Sequence, residues 1–471
     1  MPAQGPKQGP KVVIIGAGSL FFGRQAIWQM VHSGHLNTGT LALVDTDKAR
    51  LDKLERLARA VIEETGVALR LEASADRRAV LAGADFVVLS FARDTVRFRG
   101  LDTVVSEKYG IRMCSGDTIG PGGAFRAMRE LPEIFACARD IRALCPEAWV
   151  INYINPAAVN GIALRRYAPD LRSFALCDSL HMPHVKRAYA ERAGLIAEGA
   201  PLDAATDAAF DLRIAGVNHF TWVLIAAHDG RDVMPAIAES IRRRAATETD
   251  GGDTGAKALH NDAIGYQLYE SFGVVPACVS HTKEYVRFWQ GHGVMPTQVP
   301  ALKLWETEDR YRRHQEMWDG IDAYLSGARP VAAFMEDFGP DHATDVIEAM
   351  WAGLDKPFYV NTENRGAVGN MADDAFLELL CDLDMETGPV PRPVGDMPRG
   401  LRGMQEVVLD THELTAEAVH EGSRDLLRRA LLTDPLSNTI EDTEALIDAL
   451  LDAERDAVPQ HWFGDAGAVR A

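Results

Sequence analysis

Residues 11–19 read KVVIIGAGS, and residues 20–34 continue LFFGRQAIWQMVHSG. A short β-branched run breaks into glycines, and the apolar positions after it recur at helical spacing, so the stretch spells strand, tight turn, helix. Working outward, LALVD (41–45) is a second strand, residues 48–64 carry a helical pattern, and ADFVVLS (84–90), AWVINYI (148–154) and SFALCD (173–178) are further apolar runs. Strands alternating with helices specify an α/β fold with a doubly wound parallel sheet of the Rossmann type, here over residues 11–200. Beyond about residue 200 the alternation weakens. Helical patterns at 258–272, 298–325, 341–352 and 401–433 predict a second domain, 201–471, with helices on a smaller mixed sheet, and the Pro/Gly-rich stretch 388–400 reads as a connecting loop. Residues 1–10, MPAQGPKQGP, read as a disordered tail.

Composition narrows the class. A chain of 471 residues with 47% hydrophobic and 25% charged residues is neither a small module nor a disordered or fibrous one. Its net charge is −19 and no basic stripe interrupts that balance, which argues against a nucleic-acid partner. The six cysteines are scattered singly, as expected of reduced thiols in a cytoplasmic protein. No apolar run approaches the ~18 residues of a membrane span, so no membrane partner is expected.

The turn Gly16-Ala17-Gly18-Ser19, running on into Leu20 and Phe21, follows a strand and opens a helix. Glycines there let backbone N–H groups and a helix N-terminus approach a pyrophosphate. Phe21 occupies the place of a third glycine, and Gly23 comes two residues later. Asp45 closes the second strand, where an acid accepts hydrogen bonds from an adenosine ribose and repels a 2′-phosphate, favouring NAD over NADP. The plainer alternative is a strand-to-helix turn with Asp45 or Asp47 capping the next helix. Further along, Cys177-Asp178 ends an apolar run and His219 lies in GVNHF after DLRIAGV. A thiolate and an imidazole suit Mn, Fe, Co, Ni or Zn, but a lone cysteine is usually packing and two distant ligands define no site. Tyr266 falls in a helical pattern beside Ile264 and Leu268, where an aromatic usually packs. The residues by themselves lead to an NAD-linked enzyme of unspecified substrate.

Several segments taken together resemble the NAD-dependent glycosidases of glycoside hydrolase family 4. They are GAGS (16–19), DTIGPGG (117–123) with AFRAMRELP after it, NYINP (152–156), LCDS (176–179), GVNHF (216–220), Tyr266 with Gly273, and HTKEY (281–285). The resemblance runs from residue 11 to about 435. It implies a lactate/malate dehydrogenase-like C-terminal α+β domain, a homodimer or homotetramer, and a small-molecule glycoside as substrate. It also implies a redox route to hydrolysis, an exception to the two-carboxylate scheme. In that route NAD takes a hydride from sugar C3, a base removes the C2 proton, the aglycone is eliminated, water adds, and the hydride returns. By the same resemblance Cys177 and His219 hold a divalent metal, manganese first, Tyr266 is the C2 base, Asp178 is the acid at the leaving oxygen and points to an α-glycoside, and Asn155 touches sugar or cofactor with Asn152 close by.

The chain departs from the family pattern at Asp341-His342-Ala343, where a Tyr commonly precedes the Ala, which makes His342 a candidate sugar contact. Lys283 stands where a small or apolar residue is frequent, and Arg287 follows. With Arg93, Arg97 and Arg99 these bases are expected to bind an anionic C6 group, a sulfonate ahead of a phosphate, since Arg and Lys suit such oxygens. A solvated basic patch is the competing reading. A neutral α-galactoside or α-glucoside, a 2-hydroxyacid or sugar dehydrogenase, and a non-catalytic NAD sensor are the rival functions.

Overall fold

The computed structural model describes residues 8–19, 22–247, 260–286, 304–436 and 439–463. The expected contacts Leu20, Phe21 and Arg287 lie outside the described residues. Five parallel pairings join β1 (Lys11–Ile15), β2 (Thr40–Val44), β3 (Arg70–Ser74), β4 (Phe86–Leu89), β5 (Trp149–Asn152) and β6 (Arg172–Ala175) in the order β3-β2-β1-β4-β5-β6. This is the doubly wound arrangement expected from the alternating pattern. Every residue of β2, β4 and β5 is buried, because helices cover both faces of the sheet, and their sequences are accordingly continuous apolar runs. The β3 sequence, RLEAS, is half-exposed at the sheet edge and carries too few apolar residues to announce itself.

The second half extends this sheet instead of building a smaller one of its own. Strands β7 (Phe210–Val217), β8 (Phe220–His228), β9 (Arg231–Asp232), β10 (Phe358–Glu363), β11 (Phe376–Asp384) and β12 (Gly388–Pro391) continue it as β6-β10-β11-β7-β8-β9, with β12 also on β11, all antiparallel. The join is narrow, a single register pair between Ala175 and Asn361. Asn361 in turn faces Glu378, and Glu378 faces Gly216, so one row of four residues crosses four strands. Cys177 lies just past one end of that row and His219 just past the other.

Two expectations at the C-terminal end are corrected. The stretch 388–400 is not all loop, since Gly388–Pro391 is an edge strand, the place where prolines without an N–H are tolerated. The helical pattern 401–433 is two helices, Arg399–Glu421 and Arg424–Thr433. Gly422 ends the first at φ 63°, and the Ser423 side chain caps the second at Leu426 N. The C-terminal helix Ile440–Ala453 is followed by Glu454, which bonds the fully buried Arg129, while Arg129 also pairs with Asp102 at 2.9 Å. One guanidinium thereby ties together the helices Thr95–Glu107 and Gly120–Leu144 and the end of the chain. No helix among the described residues is long and apolar enough to cross a membrane.

The first helix, Phe22–His32, packs tightly over the turn that precedes it, and Gly23 is the reason. A Cβ at position 23 would lie 2.1 Å from the carbonyl oxygen of Ala17, a backbone atom that cannot swing aside. Gly23→Ala is expected to lower the unfolding free energy by about 1–3 kcal/mol through overpacking. Chemical denaturation would measure it, and an unchanged midpoint would mean that the helix shifts freely.

Candidate functional site

The carboxyl ends of β1, β4, β5 and β6 share one edge of the sheet, and the chain turns there into the segments carrying the candidate residues. Gly16 adopts φ +93°, and a Cβ on it would press on Phe91 N at 2.4 Å, so only glycine allows β1 and β4 to turn away side by side. Gly18 N donates to Asp45 Oδ2 at 2.7 Å, and Asp47 N donates to Oδ1 at 2.8 Å. The Asp45 carboxylate therefore rests on the glycine turn, with lone pairs left for further donors. Asp47, not Asp45, caps the next helix, accepting from Ala49 N and Arg50 N. Gly23, which lies outside the three-glycine spacing, makes the close helix-to-turn contact.

Cys177 and His219 meet. Cys177 Sγ lies 2.7 Å from His219 Nε2, and both residues are buried. His219 sits at φ 65° in the two-residue turn between β7 and β8. The helix Val279–Tyr285, which carries HTKEY, clamps that turn from three sides. Thr282 Oγ1 donates to His219 O at 3.3 Å, Tyr285 OH donates to Asn218 O at 3.1 Å, and the His281 ring stacks on His219 with centroids 3.8 Å apart. Burial pushes the Cys177 thiol well above its ordinary pKa, and the neighbouring Glu378 and Cys278 push the same way. A bound cation would reverse that shift by favouring thiolate. The donor set, one thiol and one imidazole, suits a divalent transition ion, but no group of three or more His, Cys, Asp or Glu able to hold a metal occurs among the described residues. Such an ion would need further ligands from a bound molecule.

Asp178 opens onto a pocket of about 220 Å³ that is also lined by Gln25, Ser179, His181, Asp341 and His342. Tyr153 OH donates to Asp178 Oδ1. Burial raises the Asp178 carboxyl above its usual pKa, and burial followed by the charge of Asp178 raises Asp341 to about 8. The shift of Asp178 runs in the direction that a general acid needs, and Asp341 at about 8 can carry a proton at neutral pH. Asn155 Nδ2 donates to Asp117 Oδ2 at 3.1 Å, while Arg126 at 3.0 Å and Ser115 Oγ at 2.7 Å fix the same carboxylate. The conspicuous DTIGPGG segment thus orients Asn155. Asn152, by contrast, is buried and bonds Ile154 O at 3.1 Å.

Other expected residues are placed elsewhere. Tyr266 is half-buried on the helix Asn261–Phe272, with its ring beside Tyr269, and burial and then Glu270 push its phenol up. Among the described residues, no hydrogen bond or ring contact connects it with Cys177, Asp178 or His219. Of the expected basic cluster, the three arginines among the described residues are engaged with internal partners. Arg93 donates to Ala457 O at 2.8 Å, Arg97 pairs with Asp456 at 2.7 Å, and buried Arg99 bonds Ser115 and lies over Trp305. Lys283 is buried and donates to Asn261 Oδ1 at 3.2 Å. His342 does line the Asp178 pocket. Sequence reasoning missed Tyr153, His281 and Asp341, although NYINP, HTKEY and the departure at Asp341-His342 each contained the signal.

Known proteins resemble this chain over nearly its whole length. A model of family 4 glycosyl hydrolases matches residues 11–188, and one of the C-terminal domain of the same family matches residues 214–437. An alpha-galactosidase of Bacillus subtilis is 25% identical over 464 residues, covering 96% of this chain and 99% of that protein. An alpha-glucosidase of Erwinia rhapontici is 26% identical over 480 residues, covering 94% and 98%. A 6-phospho-alpha-glucosidase from gut microorganisms, solved in complex with NAD and Mn2+, shares the fold at a TM-score of 0.77 and 22% identity, over 96% of this chain and 99% of that one.

One buried group beneath the site makes stability pH-dependent. His412 Nε2 donates to Thr118 O at 3.1 Å within DTIGPGG, and burial depresses its pKa from 6.5 to about 4. Below about 6.5 the unfolded chain binds a proton that the folded one refuses. The contribution of His412 to stability should therefore fall as pH drops from about 6.5 to about 4, by up to about 3 kcal/mol, and it is read as the difference between wild type and His412→Gln. The stability gap between His412→Gln and wild type should widen in favour of the variant as pH falls through that range, and parallel curves for the two proteins would sink the assignment.

Proposed function

The chain belongs to glycosyl hydrolase family 4, and on that premise we propose that it is an NAD-dependent α-glycosidase that cleaves its substrate through transient oxidation at sugar C3. The observation that carries the reading is the meeting of Cys177 and His219, next to Asp178, on the sheet whose first turn is Gly16–Ser19. When bound, NAD supplies a reversible hydride acceptor and a divalent ion, manganese first, supplies Lewis-acid polarisation of the sugar oxygens.

The chain's own groups take the remaining roles. The backbone of Gly16, Gly18 and Ser19 cradles the dinucleotide, Asp45 takes the ribose, and Cys177 and His219 hold the ion. Asn155, fixed by Asp117, orients sugar or cofactor. Asp178 gives its proton to the leaving oxygen as the C1–O bond breaks, and the Tyr153 hydroxyl aims it. Tyr266 takes the C2 proton, a role supported by its place in the family pattern. Asp178 and the two α-specific relatives favour an α-glycoside.

At C6 there are two readings. Buried Lys283 supports an anion, a sulfonate ahead of a phosphate, as in a sulfoquinovoside or a 6-phosphoglucoside. The commitment of Arg93, Arg97 and Arg99 to internal partners favours a neutral hexoside. A homodimer or homotetramer is the assembly proposed, on the common prior of C2-based symmetry.

Aryl α-glycosides incubated with and without NAD and manganese, with NADH absorbance followed, test the reading. Aglycone release should require NAD and leave no net NADH, and Tyr266→Phe should slow it by about a hundredfold or more. Stoichiometric NADH without release would make the protein a dehydrogenase. Turnover of a sulfoquinovoside, a 6-phospho-α-glucoside and a neutral α-galactoside should separate the C6 readings, and activity on the neutral sugar alone would sink the anionic one.

A further inference from the structure

Two of the residues that line the Asp178 pocket each carry a buried polar atom, His342 Nε2 and Asp341 Oδ1, that has no hydrogen-bond partner among the described residues. His342 is 0% and Asp341 3% exposed. The fold sets the tautomer of His342. Its Nδ1 lies 2.9 Å from the carbonyl oxygen of Cys177 and must carry the hydrogen, which leaves Nε2 as a bare acceptor.

Neither group can turn away. The His342 ring stacks on His181 with centroids 4.8 Å apart, and His181 is itself anchored to Asp345 Oδ2 at 3.1 Å. Asp341 is the cap of the helix His342–Ala352, and its Oδ2 accepts from Thr344 N at 3.3 Å and Thr344 Oγ1 at 3.2 Å, which pins the carboxyl with Oδ1 left over. Buried polar atoms without partners are costly, and when they line a cavity they are ready for a ligand that satisfies them.

The chemistry of that ligand follows from the pair. Nε2 needs a donor, which a sulfonate or phosphate oxygen cannot provide. A hydroxyl donates to Nε2, and a second hydroxyl satisfies Asp341 Oδ1 whether that carboxyl is ionised or protonated, because a hydroxyl both donates and accepts. We infer that His342 Nε2 and Asp341 Oδ1 anchor two neighbouring hydroxyls of the sugar, so that this wall, where the family commonly carries a Tyr, determines which hydroxyl pattern is accepted. The inference rests on the glycosidase reading for the identity of the ligand as a sugar. Any charged substituent must then point away from this wall.

The test uses the full chain loaded with NAD and manganese. Binding of methyl α-D-glucoside, methyl α-D-galactoside and their monodeoxy analogues is measured by titration calorimetry, alongside aglycone release from the matching aryl glycosides. For wild type, one deoxy analogue of the preferred sugar should bind about tenfold or more weaker than its parent. His342→Phe, which keeps a flat ring beside Phe358, should bind that parent and that analogue alike. His342→Gln, whose amide oxygen can accept, should recover part of the discrimination. The same panel is run with methyl α-sulfoquinovoside and methyl 6-phospho-α-glucoside and their monodeoxy analogues, and a His342→Phe protein that still discriminates as wild type does, or a wild type that binds parents and analogues equally or binds none of the four sugars, overturns the inference. The expected binding pattern without aglycone release would leave the anchor standing and defeat the hydrolytic reading.

Discussion

The site depends on one row of backbone pairing. Ala175, Asn361, Glu378 and Gly216 lie side by side across β6, β10, β11 and β7, and this row is the seam between the parallel and antiparallel halves of the sheet. Because the β6–β10 register is a single residue pair, a slip there would carry Cys177 away from His219 and turn alternate side chains to the other face. Glu378 stands in the row itself, wholly buried, with its carboxyl pushed up to about 8 by burial and Asn218 reaching its Oε2 at 3.4 Å. An acid in that position keeps the turn Asn218–His219 tied to the seam.

Around the seam, burial is the dominant electrostatic force. It lifts the acids Asp178, Asp341 and Glu378 and the thiol of Cys177, and it lowers His342 to about 3. Burial thus favours the neutral forms around the site, and a cation between Cys177 and His219 would act in the opposite direction on the thiol. Arg93, Arg97 and Arg99, expected near the sugar, are engaged with internal partners. Arg99 and Arg126 converge on Asp117, within the segment that orients Asn155.

Most of the parallel half was legible in the sequence, because buried strands read as uninterrupted apolar runs and KVVIIGAGS carries its turn in the glycines. The edge strands β3 and β12 were not, since RLEAS and GPVP satisfy their ladders without apolar patterning. The continuity of the sheet across residue 200 was also hidden, as a one-pair register leaves no trace in periodicity. For the site, the family resemblance selected Cys177, Asp178 and His219, which residue type alone left ambiguous, and the fold gathers all three. Charge counting failed for Arg93, Arg97 and Arg99 because a side chain's partners depend on where a distant segment packs. Nothing local in FARDTVRFRG announces residues 454–457.

Those distant partners bear on the order in which the molecule is made. Arg129, Arg97 and Arg93 belong to the cofactor half, yet they are completed by Glu454, Asp456 and Ala457, which are made more than 300 residues later. During synthesis the parallel sheet can pair before residues 454–457 emerge, and Arg129 then has Asp102 without its second buried partner, Glu454. Domains commonly fold as they emerge, N-terminal first. Here the packing of the first half is closed only when residues 454–457 arrive, so the two halves of the chain share one final folding step.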